Sequence, residues 1–295
     1  MPATAAPGTV LVMGASGRFG RHAAQAFAAA GWRVRRFERD RDDLGAAAAG
    51  ADVIVAAANP AYQHWARVVP ALHERIRAAA LASGATVLVP GNVYVFGPDS
   101  PPPWGADSPH LAQNPLGRVR REMEEGYRAA GVRTIVLRAG DFIDTAASGA
   151  WFDRLLPKSP RGSALAWPGP ADAAHAWAFL PDLARAAVGL AAIRDRLARF
   201  EDVPFPGYTL SGQQIAAILS RLCGRTIGIR PFPWWQLRLA RPFVPIIRHV
   251  LEMRWLWEVP HSLDGAKFAA LMPGFAATPA EEALASVWAG RFGHG

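Results

Sequence analysis

Three glycines at regular spacing, Gly14-x-x-Gly17-x-x-Gly20, stand where this sequence most directly implies chemistry. They follow the apolar run Val10-Leu11-Val12-Met13 and open an alanine-rich stretch that sets Phe19, Ala23, Phe27 and Ala30 on one helical face. A strand, a tight glycine turn and a helix N-terminus together aim backbone N–H groups at an anion, and the helix dipole adds to the attraction. Gly14 suits the turn, Gly17 the close approach of phosphate, and Gly20 the contact of helix on strand. The amides around Ser16, Gly17, Arg18 and Phe19 are the expected cradle of a dinucleotide pyrophosphate. Other chemistries lack their signatures. No Gly-x-Ser-x-Gly elbow, no phosphate-loop Gly-Lys-Ser/Thr and no Cys/His cluster at metal spacing occurs, so no metal is expected.

The elements that must position this loop alternate along the first half of the chain. Arg33 to Phe37 reads as a second strand, with Glu38, Arg39 and Asp40 just beyond it. At such a strand end an acidic residue accepts the ribose 2′-hydroxyl of NAD, whereas arginine pairs the 2′-phosphate of NADP. Glu38 argues for NAD; Arg36, Arg39 and Arg18 argue for NADP, which is favoured. Asp40 to Ala51 is too short for a helix–strand–helix excursion, so the usual outer strand is expected to be rudimentary or missing. Asp52 to Ala57 is the next strand. Ala57 and its small neighbours let a flat cofactor lie close, and Pro60 keeps Asn59 out of the helical region. Tyr62 and His64 follow on the loop. Further strands are expected at Thr86–Pro90 and Arg133–Arg138. Helices are expected with Trp65, Val69, Leu72, Ile76 and Ala79, and with Val119, Met123, Tyr127 and Ala130, on their buried faces. Five such alternations mean a parallel sheet with helices on both sides.

Beyond Asp144 the helical periodicity weakens and Pro, Trp and Gly rise. A helix is expected from Ala178 to about Leu197, and a capped one from Ser211, with Gln214 three residues on, to Gly224. Pro231 to Pro260 carries four tryptophans. They are expected to pack over a substrate cleft or subunit interface, because the intervening arginines form no continuous face for a membrane surface.

Composition bounds the rest. Half the residues are hydrophobic, enough for a sizeable core. The formal charge of +8 is scattered, and only Lys158 and Lys267 among the 32 basic residues are lysines, so nucleic acid is not expected as a partner. No apolar run is long enough to span a membrane. Met1 to Gly8 reads as a short leader without signal-peptide character, and the single cysteine, Cys223, points to a reducing, cytoplasmic compartment.

Several segments together resemble the extended branch of the short-chain dehydrogenase/reductase superfamily, also called the NAD-dependent epimerase/dehydratase family. They are Gly14-x-x-Gly17-x-x-Gly20, Asp52-Val53-Ile54 leading to Ala57-Ala58-Asn59, Val93-Tyr94-Val95-Phe96-Gly97, Leu137-Arg138-Ala139-Gly140, and Phe179-Leu180-Pro181-Asp182-Leu183-Ala184. The resemblance covers nearly the whole chain. It implies an α/β fold: a Rossmann-type doubly wound parallel sheet with a smaller, mixed C-terminal substrate lobe. Residues 1–145 with about 176–198 would bind the dinucleotide, and 146–175 with about 199–295 would form the lobe. The family's catalytic set is a Ser or Thr, then Tyr-x-x-x-Lys, whose lysine holds the ribose and lowers the tyrosine pKa. Here Asn92 takes the serine place, and Asn114 and Arg118 match the pair, so the tyrosine is absent. Such members are atypical: some are reductases with other donors, some only sense the dinucleotide. Tyr94 is the substitute donor, or else a strand tyrosine packed beneath its loop. Tyr62 is a second candidate. Asp141 would fix a substrate hydroxyl, and Trp151 and Trp177 would line the pocket roof or belong to the core. The expected function is an NAD(P)-dependent oxidoreductase or epimerase on a small carbonyl or hydroxyl substrate; the alternative is a non-catalytic NAD(P) sensor or partner-binding protein. A homodimer is compatible with the family.

Overall fold

The structure is a computed structural model that describes residues 7–293; the leader expected at Met1–Gly8 lies, except for its last two residues, outside them. Its first half runs β1 (Thr9–Met13), α1 (Arg18–Ala29), β2 (Arg33–Phe37), α2 (Leu44–Ala48), β3 (Val53–Ala56), α3 (Trp65–Ser83), β4 (Thr86–Asn92), α4 (Pro115–Ala129) and β5 (Thr134–Ala139). Then come β6 (Asp141–Ile143), α5 (Trp151–Leu155), β7 (Ala164–Trp167), β8 (Ala176–Phe179), α6 (Leu180–Ala192) and β9 (Phe200–Pro204). The chain ends with β10 (Tyr208–Thr209), α7 (Gly212–Cys223), β11 (Gly228–Pro231), α8 (Trp234–Ala240), α9 (Ile246–Glu252), α10 (Trp255–Glu258), α11 (Ala266–Leu271) and α12 (Ala280–Phe292).

Six parallel strands form the central sheet in the order β2-β1-β3-β4-β5-β9. Side chains alternate across a strand, and β1 shows the consequence. Val10 and Val12 join the core under α1 and α6, with Phe19, Ala23 and Phe27. Leu11 and Met13 join the opposite core under α3, with Trp65, Val69 and Ile76. Both faces of the sheet are therefore covered, which is why β3 is apolar throughout and buried at every position. The chain reverses between the layers at glycines; Gly84 ends α3 at φ 75°.

No strand lies outside β2 among the described residues, as expected from the short Asp40–Ala51 segment, which holds only α2. Arg33, Arg35 and Arg36 on β2 keep that edge charged and unattractive to a further strand. Two assignments need correcting. Ala178 and Phe179 belong to β8, not to a helix, which starts only at Leu180. Phe200–Pro204, placed by sequence in the second lobe, is the sixth strand of the central sheet, paired with β5 from Thr134↔Phe200 to Arg138↔Pro204. Glu201, Asp202 and Pro204 hide it, because a buried central strand normally reads as a continuous apolar run.

The remaining elements form a three-stranded sheet, β10-β8-β6, and a two-stranded one, β11-β7. Their core is aromatic: Phe152, Trp167, Trp177, Trp234 and Trp257 pack with Ile215 and Leu219 of α7. The Ser211 capping box on α7 is formed, with Gln214 N donating to Ser211 Oγ at 3.3 Å and Ser211 N to Gln214 Oε1 at 2.8 Å. Because Ser211 is buried, Ser211→Ala is expected to lower stability by about 1 kcal/mol in a urea titration.

Candidate functional site

The glycine turn is built as its spacing implies. Gly14 has φ 75°, and a Cβ there would lie 2.7 Å from the backbone of Ala58. The turn is thus pressed against the segment that leaves β3, which brings Ala57 and Asn59 beside it. Gly17 N donates to Gly14 O at 2.9 Å and closes the turn. A Cβ on Gly20 would meet Gly14 O at 2.0 Å, so α1 sits directly on the turn. Gly17 is the N-cap, no side chain caps α1, and its first turn has no acidic residue. Ser16, Gly17 and Arg18 are exposed, while Phe19 and Gly20 are buried beneath them. These amides and the positive end of the helix fit a pyrophosphate.

Arg18 departs from its expected role. Its guanidinium donates to Ser148 O at 3.0 Å and Gly149 O at 2.8 Å, tying the loop after β6 to the start of α1 rather than facing the end of β2. Arg36 near the end of β2, and Glu38 and Arg39 beyond it, are all exposed. Glu38 pairs with Arg41 at 3.0 Å, a surface contact worth little.

Asn92 and Tyr94 lie at the C-terminal end of β4, next to Ala139 of β5 in register. The Asn92 side chain is not free for substrate at its oxygen: Oδ1 accepts Tyr94 N at 3.1 Å and caps a short 3₁₀ turn over Val93–Val95. Tyr94 is 6% exposed, and its hydroxyl shares a 2.7 Å hydrogen bond with that of the half-buried Tyr62. Trp65 packs against both rings. Burial pushes the Tyr94 phenol well above its ordinary value, with the Tyr62 and Asp141 charges adding to the rise. Burial also raises Tyr62.

Arg118, expected to hold the ribose, points away on the exposed face of α4. Pro115 occupies the first turn and Asn114 is the N-cap, so Asn114 and Arg118 do not form a pair within the helix. The four-residue spacing that faces inward is Leu116–Arg120. Leu116 has no proton to give. Arg120 is buried, donates to Pro90 O at 2.7 Å, lies over Trp65, and leaves Nε without a partner. The apolar spacing of Leu116, Met123 and Tyr127 is the signal by which the sequence could have disclosed this register.

At the end of β5 the chain places Asp141, half-buried, with Oδ2 2.9 Å from His175 Nε2. His175 is buried and stacks on Trp257 at 4.2 Å. No sequence signal pointed to His175, which precedes β8 on an irregular segment. Trp177 does not line a roof: it is fully buried in β8, and its Nε1 donates to Leu210 O at 3.1 Å. Trp151 is half-buried in the same aromatic core, 5.5 Å from Trp257. A concavity of about 620 Å³ lies elsewhere, between Trp167–Ala171 and Ile229–Trp234.

Beneath the site Arg138 is wholly buried. It donates to Asn92 O at 2.7 Å and Glu124 Oε2 at 2.7 Å, and it also grips Asp202. His110, Glu124 and Asp202 come close enough to hold a metal ion, a grouping the sequence did not suggest. The Arg138 guanidinium already supplies the positive charge there.

No protein-family model matches the chain, and no curated protein matches its sequence. The fold, in contrast, is shared with solved structures along almost the full length. A putative epimerase from Burkholderia cenocepacia superimposes with a TM-score of 0.76 at 18% identity, covering 98% of this chain and 99% of that one. MoeE5 in complex with UDP-glucuronic acid and NAD gives 0.72 at 18% identity, covering 95% and 98%. UDP-glucuronic acid 4-epimerase from Bacillus cereus in complex with NAD gives 0.72 at 14% identity, covering 96% of each. The chain therefore has the Rossmann-type fold of NAD-dependent epimerases and dehydratases.

Proposed function

We propose that this chain is an NAD(P)-dependent oxidoreductase of the atypical short-chain dehydrogenase type, acting on a small carbonyl or hydroxyl substrate. The observation that carries the reading is the uncapped start of α1 seated on a Gly14 turn too tight for any side chain. The nicotinamide, when bound, supplies the hydride. The substrate oxygen would then lie at the ends of β4 and β5, near the Tyr62–Tyr94 pair and Asp141. His175 holds the Asp141 carboxylate, which is suited to orient a substrate hydroxyl.

The protonation state of the phenols suits one catalytic role. In family members with a lysine beside the tyrosine, its charge lowers the phenol pKa. Here no ammonium stands at Leu116–Arg120, and burial keeps both phenols protonated. A protonated phenol can give its proton to the oxygen of a carbonyl as hydride reaches the carbon, which is the acid's role in reduction. Tyr94→Phe is expected to lower the rate of NADPH-dependent carbonyl reduction by about a hundredfold while leaving NADPH affinity unchanged. The wild-type rate should show no loss of the acid between pH 7 and about pH 10, because the group deprotonates only above its ordinary value. Unchanged turnover in the variant removes Tyr94 from the chemistry. The missing Tyr-x-x-x-Lys pair favours the second reading, a dinucleotide sensor; tight NADPH binding with no turnover on a broad carbonyl panel would decide for it.

NADP is the cofactor proposed for this chain. With Arg18 engaged by the loop, the preference rests on Arg36 and Arg39, both exposed beside Glu38. MoeE5 and the Bacillus cereus 4-epimerase are NAD complexes, so the choice is tested directly: fluorescence titration should give tighter NADPH than NADH binding, and Arg39→Glu should invert the order. Tighter NADH binding by the wild type overturns it.

A further inference from the structure

Three of the four tryptophans of the Pro231–Pro260 segment pack inward, Trp234 and Trp257 in the aromatic core and Trp255 against the core under α3; Trp235 does not. α8 is apolar on both sides. Trp234 and Leu237 face inward, where Trp234 is buried with Nε1 donating to Pro168 O at 2.7 Å. Trp235 and Leu239, four residues apart and so on one face, point outward at 62% and 67% exposure. Phe243, in the turn that follows, is 84% exposed, and Val244 beside it is also exposed. A helix apolar all round is normally covered on all sides. Large exposed apolar side chains gathered in ten residues mark a contact surface.

The charge around this ridge says what the contact is. Between Asp202 and Glu252 the chain has no acidic residue and six arginines: Arg221, Arg225, Arg230, Arg238, Arg241 and Arg248. Arg221 is held by Glu281, and Arg225 by the Pro160 and Gly162 carbonyls. Arg238, Arg241 and Arg248 stay exposed, interleaved with Trp235, Leu239 and Phe243. The next acids along the chain are occupied: Glu252 accepts Leu116 N at 2.8 Å, and Glu258 pairs with Arg254 at 2.8 Å. A second copy docking on this ridge about a two-fold axis would set one cationic rim against another, which costs free energy. An anionic bilayer surface offers the complement on both counts: headgroup charge for the arginines and an interfacial depth that tryptophan and phenylalanine prefer.

We propose that the Trp235–Leu239–Phe243 ridge, with Arg238, Arg241 and Arg248, seats the protein on the surface of anionic membranes without spanning them. No helix among the described residues is long and apolar enough to cross. The test is co-sedimentation of the full chain with vesicles of phosphatidylglycerol and phosphatidylcholine against phosphatidylcholine alone. Binding should appear only with the anionic vesicles and fall sharply between 50 mM and 500 mM salt, as screened charges require. Replacing Arg238, Arg241 and Arg248 together by Gln should weaken it about a hundredfold, at roughly fivefold per cation. Trp235→Ser with Leu239→Ser and Phe243→Ser should abolish it with little change in melting temperature, because all three side chains are mostly exposed. Failure of the wild type to bind anionic vesicles at low salt overturns the proposal. So does undiminished binding by the serine variant. Sedimentation that shows a wild-type dimer split by the same three substitutions would make the ridge a subunit interface instead.

Discussion

Gly20→Ala is expected to abolish measurable binding of adenine dinucleotides and to lower stability at the same time. A methyl group on Gly20 would lie 2.0 Å from Gly14 O and 2.8 Å from Gly14 C, both backbone atoms of a turn already closed by its own hydrogen bond. Neither partner can rotate away. The turn also cannot retreat, because Gly14 rests against the backbone of Ala58. Either α1 lifts from the sheet or the turn opens. Overpacking of this kind costs about 3 kcal/mol, and the displaced amides no longer converge on a phosphate. Gly17→Ala separates the two effects. Its methyl would meet Gly14 O at 3.1 Å and otherwise project into open space, so the protein should melt normally yet bind NADPH far more weakly. Calorimetry and fluorescence titration on the pair check this. Normal NADPH binding by Gly20→Ala would show that the turn is not where the dinucleotide sits.

Arg138→Met should be the most destabilising single change in the central sheet. The methionine keeps the volume but leaves Glu124 and Asp202 buried without their shared cation, a loss of roughly 3–5 kcal/mol. In the wild type, burial alone would raise the Glu124 carboxyl; the charge and hydrogen bonds of Arg138 overcome this and hold it below its ordinary value. That contribution is present above the unfolded carboxyl pKa and is lost as pH falls through the lower folded value. In the variant the sign reverses for Glu124, where burial now outweighs the remaining charge of Arg120. Asp202, which burial already raises in the wild type, rises further with Lys267 left beside it, so the folded state binds protons more readily than the unfolded chain. The deficit is then largest at neutral pH and shrinks as pH falls toward 5 and the carboxyls protonate. Melting curves of both proteins from pH 5 to pH 8 measure it, and a deficit that grows on acidification would contradict the account.

The residues of the first 140 positions disclosed most of the fold, because buried parallel strands and one-faced helices carry strong periodicity. Val10–Met13, Val53–Ala56 and the Phe19–Phe27 face all fall where their patterns put them. The candidate site was most legible where backbone geometry dictates residue type, at Gly14, Gly17 and Gly20; Tyr62 and Tyr94, both singled out from the sequence, also meet. Side-chain roles were less so. Arg118 and Arg120 differ by two positions on one helix, and only Arg120 falls on the buried face with Leu116, Met123, Glu124 and Tyr127. His175 reaches Asp141 across 34 residues of chain, a contact that no local pattern encodes. Phe200–Pro204 escaped notice because its acids are satisfied by partners from distant elements: Asp202 by Arg138, and Glu201 by Lys267.

The late entry of that strand has a consequence for the architecture. β9 seals the open side of β5 and brings Asp202 to Arg138, while α6, from the same stretch of chain, roofs the face beneath α1. A fragment ending near residue 145 would lack both. It would bare a hydrogen-bonding edge and an oily surface, and its buried guanidinium would be left with one counterion. The N-terminal half is therefore not autonomous. It is completed only after the polypeptide has made its excursion through the aromatic half, so the two are obliged to fold as one unit.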